Sequence, residues 1–86
     1  MNLPTGFDQR FDSLRLVREL KSYSAAAREL NLSPSAVAQQ IHALERELDA
    51  LLFVKDGNRL LPTEMCEIAC SYAAQAASLR RRMELE

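Results

Sequence analysis

The residues best suited to contact a ligand share one face of a helix predicted over residues 34–48. At helical spacing, this face presents Ser35, Ala38, Gln39, His42 and Arg46. The first three are short or carry an amide, whereas a face that only meets solvent more often carries Glu and Lys. Hydroxyl and amide groups can bind base edges in the major groove of duplex DNA. The pattern indicates a nucleic-acid interface, with an ordinary solvated face as the alternative.

A short helix and a tight turn precede this face. Ser24 is predicted to cap a helix over residues 25–30, whose alanines let another helix approach closely. Asn31 and Leu32 form the turn. Ser33 then caps the next helix, and Pro34 suits the first helical position, where no N–H is needed. A small helix, a tight turn and a longer helix form the helix-turn-helix pattern.

The remaining core elements follow from apolar spacing. Residues 1–7 lack periodicity and are predicted to be a tail, after which Asp8 caps a supporting helix that runs to about Lys21. Three- and four-residue steps place two apolar stripes against the core. The first helix contributes Phe7, Phe11, Leu14, Val17 and Leu20, and the third helix contributes Val37, Ile41, Leu44 and Leu48.

A small β-hairpin is predicted after the third helix. The apolar run 51–55 is too short for a helix, and Asp56, Gly57 and Asn58 form a turn before the strand that starts at Arg59. Lys55 and Arg59 would lie near the tip of this wing, within reach of phosphates or the minor groove. The alternative is a structural clip whose charges only face solvent.

The last predicted helix, residues 64–86, begins after Thr63 as its cap. One stripe recurs at three- and four-residue steps, and it comprises Met65, Ile68, Tyr72, Ala76, Leu79 and Met83. Small side chains flatten this stripe, namely Ala69, Ala73, Ala74 and Ala77. A three-helix core cannot cover the far end of so long a helix, so the stripe predicts a homodimer. Burial within the same chain is the alternative.

The fold class is therefore mainly α: a winged helix-turn-helix with a three-helix core, a short hairpin and a long C-terminal dimerisation helix. Its expected divisions are a tail over 1–7, the winged domain over 8–63 and the dimerisation helix over 64–86. The 86-residue length allows one domain.

Charge argues against nucleic acid as a partner. The chain has 11 basic and 12 acidic residues, a net charge of −1 and a pI near 5.8. Phosphate binding draws on clustered Lys and Arg. A protein-interaction module that keeps the fold and has lost DNA binding, as an anti-regulator or assembly piece, therefore remains the second reading.

Metal, cofactor and enzyme chemistry find little support. Cys66 and Cys70 stand four apart, and His42 is the only histidine. We interpret the cysteines as small buried hydrophobes and expect no metal site. Ser35 and His42 lie seven apart without an acid in register, so no triad suggests itself. The chain is expected to be no enzyme and to need no cofactor.

No targeting or membrane segment is apparent. No apolar run approaches the roughly 20 residues of a membrane helix, and residues 1–20 lack the apolar centre of a signal peptide. We expect a cytoplasmic protein without a membrane partner.

About 50 consecutive residues then resemble, in order and spacing, the N-terminal domain of LysR-type transcriptional regulators. The resemblance is carried by 22–30, 32–41, Leu44-Glu45, Glu47-Leu48, Leu52-Phe53, Arg59 and 61–64. It implies a winged helix-turn-helix that binds duplex DNA as a dimer and a linker helix that leads to an effector domain. Any small-molecule effector would bind that domain, which is absent here, so we expect the N-terminal piece of a longer protein.

The resemblance also implies roles by position. Ser22 and Ser24 would contact the DNA backbone and Arg59 the minor groove. Bases and nearby phosphates would be contacted by Ser33, Pro34, Ser35, Ala38 and Gln39, to which we add His42.

The chain departs from the family pattern at several of these positions. Ala38 stands where the family usually has Ser, and Gln39 where it often has Arg. Glutamine can pair bidentately with adenine, whereas Arg favours guanine. Lys21, Asp49 and Cys66 occupy positions where glycine is common in the family.

Overall fold

Four helices and one hairpin make up the fold. The computed structural model describes the backbone of residues 5–85 and the side chains of residues 9–85. Its elements are α1 (Thr5–Leu20), α2 (Tyr23–Leu30), α3 (Pro34–Leu48), β1 (Phe53–Asp56), β2 (Arg59–Pro62) and α4 (Glu64–Leu85). The predicted fold class is confirmed.

Two predicted helix starts are wrong. Helix α1 begins at Thr5, so residues 5–7 are helical and Asp8 lies inside the helix instead of at its cap. Residues 1–4 of the expected tail lie outside the described residues. Helix α2 is capped by Ser22, whose backbone is extended and whose hydroxyl accepts a hydrogen bond from Ala25 N at 3.2 Å. Ser24 therefore lies in the first turn of α2.

The predicted core stripes are largely confirmed. The fully buried side chains of the core include Leu14, Val17, Val37, Ile41 and Leu52. The alanines of α2 let it pack closely, and Ala26 and Ala27 are buried in the same cluster.

For both α1 and α3, the prediction that the last leucine of the apolar stripe is buried is wrong. Leu20 and Leu48 are 38% and 41% exposed. Each ends its helix and is followed by a left-handed residue, Lys21 with φ 59° and Asp49 with φ 50°. The chain turns away there, so the last leucine does not reach the core. These are two of the positions where the family commonly has glycine, which adopts positive φ without the steric cost of a Cβ.

One backbone hydrogen bond attaches β2 to the end of α1, and a second joins the two ends of the hairpin. Leu60 N donates to Lys21 O at 3.2 Å, and Thr63 N donates to Leu52 O at 2.9 Å. Asp56 pairs with Arg59 in the antiparallel register, so the turn is Gly57-Asn58 and Asp56 belongs to the strand.

Helix α4 begins as predicted and buries one face. Thr63 Oγ1 accepts from Cys66 N at 3.2 Å and donates to Leu51 O at 2.7 Å. The buried face comprises Cys66, Ala69, Cys70 and Ala73. The cysteines are thus buried as predicted, whereas Ala69 and Ala73 pack inward and do not widen the outward stripe. No helix of the described residues is long and apolar enough to cross a membrane.

Candidate nucleic-acid interface

The interface begins at the N-terminus of α3. Ser33 Oγ accepts from Ala36 N at 3.1 Å and lies 3.3 Å from Ser35 Oγ. Ser33, Pro34 and Ser35 are all exposed. The N-terminus of a helix carries partial positive charge and unpaired N–H groups, which favour an anion. Two hydroxyls and a helix dipole therefore meet at one exposed point.

The outer face of α3 is arranged as predicted. Ser35, Gln39, His42 and Arg46 are exposed, and Ala38 is half-buried. The His42 ring packs edge-on against Tyr23 of α2, with ring centroids 6.4 Å apart.

Tyr23 and Glu45 border this face, and both are half-buried. Burial raises the pKa of Tyr23, with a smaller contribution from the charge of Glu45. Glu45 Oε2 accepts from Leu52 N at 2.8 Å. This carboxylate therefore links α3 to the hairpin instead of standing unpaired on the outer face.

Polar contacts on the inner side fix the rotation of α3. Ser13 of α1 is fully buried, and its hydroxyl donates to Gln40 Oε1. Arg10 pairs with Glu47 at 2.7 Å nearer the C-terminal end. Because rotation about the helix axis decides which side chains face outward, these contacts position the outer face. Sequence reasoning missed Ser13, and a polar residue beside Leu14 in an otherwise apolar stripe was the available signal.

The charged residues divide into two groups. The arginines of α1 have carboxylate partners: Arg10 with Glu47, Arg15 with Asp12 at 2.5 Å, and Arg18 with Glu67 at 2.5 Å. Outside α4, five other cations form no ion pair with another described residue. These five, the unpaired cations, are Lys21, Arg28, Arg46, Lys55 and Arg59. The arginines of α1 are therefore engaged, whereas these five cations are available to an external anion.

The Arg18–Glu67 pair joins α1 to α4. The hydrogen bond from Arg18 and its charge hold the pKa of Glu67 below its ordinary value, and Glu67 in turn raises the pKa of Arg18. Both side chains are about half exposed, so solvent screens the pair.

The wing and the serines of α2 complete the predicted set. Lys55 and Arg59 are exposed, with Arg59 next to the turn and opposite Asp56. Ser24 is exposed, whereas Ser22 is half-buried because its hydroxyl caps α2.

The outward stripe of α4 is largely uncovered. Its exposed fractions are 54% for Ile68, 63% for Tyr72, 54% for Leu79 and 59% for Met83. Ala76 is half-buried. Met65 packs partly against the core of its own chain, so it contributes less to this stripe than the spacing predicted.

Helices α2 and α3, their tight turn and the hairpin that follows define a winged helix-turn-helix domain. The sequence model of the family described as bacterial regulatory helix-turn-helix protein, lysR family, matches residues 9–67. The chain belongs to this family of bacterial regulators.

Individual proteins agree with this assignment. A probable RuBisCO transcriptional regulator of Emiliania huxleyi is 34% identical over 71 residues, which are 79% of this chain and 23% of the relative. The crystal structure of ArgP from Mycobacterium tuberculosis is 33% identical, with a TM-score of 0.75, over 88% of this chain and 28% of ArgP.

A second structure supports the fold alone. The CbnR DNA-binding domain, solved as a DNA complex, has a TM-score of 0.82 at 22% identity over 90% of this chain and 88% of that one. The chain thus spans about a quarter of the full-length relatives and most of an isolated domain. The Emiliania huxleyi protein is described as a probable transcriptional regulator, and none of the three proteins favours the protein-interaction reading.

Proposed function

We propose that this chain is the DNA-binding domain of a LysR-type transcriptional regulator and that it binds duplex DNA as a homodimer. Helix α3 enters the major groove and the wing approaches the minor groove. The observation that carries this proposal is the exposed outer face of α3, where Ser35 and Gln39 present hydrogen-bonding groups beside a capped helix N-terminus. The CbnR domain of the same fold was solved as a DNA complex.

The α3 residues divide into anchoring and reading roles. Ser33, Pro34 and Ser35 bring the helix N-terminus to a phosphate, where its N–H groups and dipole favour the anion. Gln39 reads a base, with adenine as its best bidentate partner. Ala38 leaves room for a thymine methyl, and His42 donates to the backbone further along.

Residues from other elements complete the contact. Ser24 contacts a backbone phosphate at the start of α2, and Ser22 does so with the hydroxyl hydrogen that its capping role leaves available. Lys55 and Arg59 reach phosphates or the minor groove from the wing.

Two copies associate through α4. The exposed stripe provides the apolar contact, with Ile68, Tyr72, Leu79 and Met83 at its centre and Ala76 and Met65 at its margins. Exposed apolar side chains at helical spacing favour burial against a partner helix. A dimer also brings two α3 helices to successive major grooves, as a two-fold-symmetric site requires.

The remaining assignments follow from this role. We propose no catalytic activity and no cofactor, and we place the protein in the cytoplasm with the DNA. The domains are the winged domain, which ends at residue 63, and the linker helix from residue 64. An effector, where one exists, binds a part of the regulator outside this chain.

Selection from a pool of random duplex DNA tests the proposal. The purified chain is mixed with the pool at two salt concentrations, and the bound fraction is sequenced. Gln39→Ala and Arg59→Ala are run beside matched controls: Gln9→Ala for an exposed amide on α1, and Arg15→Ala for a cation already paired with Asp12.

We expect an enriched two-fold-symmetric motif that weakens at high salt because phosphate contacts release counterions. Gln39→Ala should relax the motif at one position of each half-site, Arg59→Ala should weaken binding to all sequences, and both controls should behave as the parent chain. A folded dimer that enriches nothing would contradict the proposal and favour the protein-interaction reading.

A further inference from the structure

The only histidine of the chain, His42, lies exposed on the outward face of α3. Histidine is the side chain whose ordinary titration falls between about pH 5 and pH 8. The imidazole of His42 forms no ion pair with another described residue. The proposed contact with DNA therefore contains one side chain that can gain a charge near neutral pH.

We propose that His42 binds a DNA phosphate as the imidazolium cation, so that the dimer takes up protons when it binds DNA and its affinity rises as the pH falls. This inference rests on the proposed function and adds a regulation of the same site. A neutral imidazole offers one N–H donor, whereas the imidazolium offers two donors and a positive charge. Charge-assisted hydrogen bonds are about twice as strong as neutral ones.

The position of His42 along α3 suits a phosphate at the far edge of the major groove. Ser35 lies at the helix N-terminus, which the proposed function places against a phosphate. His42 is on the same face and about 10 Å further along the helix axis, at ~1.5 Å per residue. The major groove is about 12 Å wide. Gln39, between the two, faces the base edges, and His42 reaches the second wall of phosphates.

Helix α2 holds the imidazole in place. Tyr23 of α2 is half-buried, and its ring centroid lies 6.4 Å from that of His42 with the ring planes 85° apart. This T-shaped arrangement is a favourable geometry for two aromatic rings. A side chain that is already ordered loses less entropy when it binds. On α1, Arg10 meets α3 at Glu47, on the inner side of the helix, and so does not face the imidazole.

The charged side chains around His42 give it no committed counter-ion. They share a surface recess with it and are Glu45, Arg46 and Asp49. The Glu45 carboxylate accepts a hydrogen bond from Leu52 N at 2.8 Å. Arg46 and Asp49 carry opposite charges, so their effects on the ring oppose one another. A DNA phosphate therefore supplies the negative charge that favours the imidazolium.

DNA affinity measured as a function of pH tests the inference. Fluorescence anisotropy follows binding of the 86-residue chain to a duplex recovered by the random-pool selection, from about pH 8 to about pH 5.5 at constant ionic strength. His42→Gln removes the titrating ring and keeps an amide donor. The double variant Gln9→His/His42→Gln restores one histidine at an exposed position of α1, outside the proposed contact. Circular dichroism at both ends of the pH range establishes that each variant is folded.

We expect the affinity of the parent dimer to rise about tenfold or more across this range, because each chain gains a charge-assisted contact. The slope of log affinity against log salt should also steepen by about one per chain at the acidic end. Both changes should be absent from His42→Gln and from the double variant. A parent affinity that does not change with pH, or either variant retaining the pH dependence of the parent, would overturn the inference.

Proton uptake provides a readout that a structural role of His42 would not move. Calorimetric titration near neutral pH, in two buffers that differ in ionisation enthalpy, measures the protons exchanged when the duplex binds. Net uptake by the parent and none by His42→Gln would support the inference. Binding of the selected duplex without proton uptake would contradict it and leave the proposed function standing, whereas a folded chain that binds no duplex would overturn both.

Discussion

The arginines and Ser13 of α1 differ from the polar groups of the outward α3–wing surface in that they already have partners. On α1, Arg10, Arg15 and Arg18 are bound by carboxylates, and the buried hydroxyl of Ser13 donates to Gln40. On the outward surface, Gln39 has no hydrogen-bond partner among the described residues, and the unpaired cations include Arg46, Lys55 and Arg59. The net charge of −1 is a sum over the whole chain, whereas the cations available to a phosphate are those on the outward surface that no described carboxylate engages.

This difference predicts that substitutions separate into two groups. Changes to satisfied groups should alter stability and leave DNA contacts in place. Changes to unsatisfied outward groups should alter DNA binding and leave stability in place.

The largest effect is expected at Gln39. Gln39→Ala should cost about 1–3 kcal/mol of base discrimination per chain, the value of one bidentate contact, and a dimer loses it twice. The free energy of unfolding should stay within about 0.5 kcal/mol of the parent because the side chain is exposed. Fluorescence anisotropy on the selected DNA site and on a mutated site measures base discrimination. Urea unfolding measures the free energy of unfolding.

Gln9→Ala is the control for that measurement. Equal loss of discrimination in the two variants, or a large loss of stability in Gln39→Ala, would place Gln39 outside the interface.

Ser13 should show the opposite behaviour. Ser13→Ala leaves the Gln40 side chain without its buried donor, which costs about 1–3 kcal/mol of stability. Urea unfolding at pH 7 measures the loss, with exposed Ser71→Ala as control. The double variant Ser13→Ala/Gln40→Leu should recover part of it because both polar partners are then gone. Additive losses in the double variant would argue against the hydrogen bond.

Lys21 offers a smaller effect of opposite sign. Its left-handed backbone costs a non-glycine residue about 1–2 kcal/mol. Glycine removes that cost but gains backbone freedom in the unfolded chain, so Lys21→Gly should stabilise by up to about 1 kcal/mol. Thermal and urea unfolding measure whether Lys21→Gly raises or lowers the stability of the domain. Glu19→Gly, within regular α1, should destabilise, and a loss for Lys21→Gly as large as that for Glu19→Gly would contradict the assignment.

The smallest effect concerns pH and the Arg18–Glu67 pair. Because the folded pKa of Glu67 is lowered by Arg18, its stabilisation is present above the ordinary glutamate pKa and is lost as pH falls through the folded value. Glu67→Gln should therefore reduce the drop in unfolding free energy between neutral and acidic pH. Glu64→Gln, which removes a carboxylate without an ion pair among the described residues, should leave the drop nearly unchanged. Identical curves for Glu67→Gln and the parent would count against the pair.

Most of the fold was predictable because its signals are local. Apolar spacing located the helices, the Ser33-Pro34 start fixed α3, and Thr63 fixed α4. The errors have local causes too. Two serines precede the alanines of α2, and composition alone does not reveal that Ser22 has the extended backbone of a cap.

The candidate site was predictable in its outward residues and not in what positions them. Once the core stripe of α3 is known, helical periodicity predicts that Gln39 lies on the opposite, outward face. The Ser13–Gln40 contact joins residues 27 apart in sequence, and no local pattern encodes it. The inward packing of Ala69 and Ala73 likewise depends on how α4 crosses α1.

The salt dependence of DNA affinity most directly tests the central claim that the unpaired cations of the outward surface, and not the paired arginines of α1, bind phosphate. Association constants of the parent, Arg59→Ala and Arg15→Ala are measured on the selected site over a range of salt concentrations. The account predicts that Arg59→Ala lowers the slope of log affinity against log salt by about one per chain, while Arg15→Ala parallels the parent. An unchanged slope for Arg59→Ala, or an equal reduction for Arg15→Ala, would contradict it.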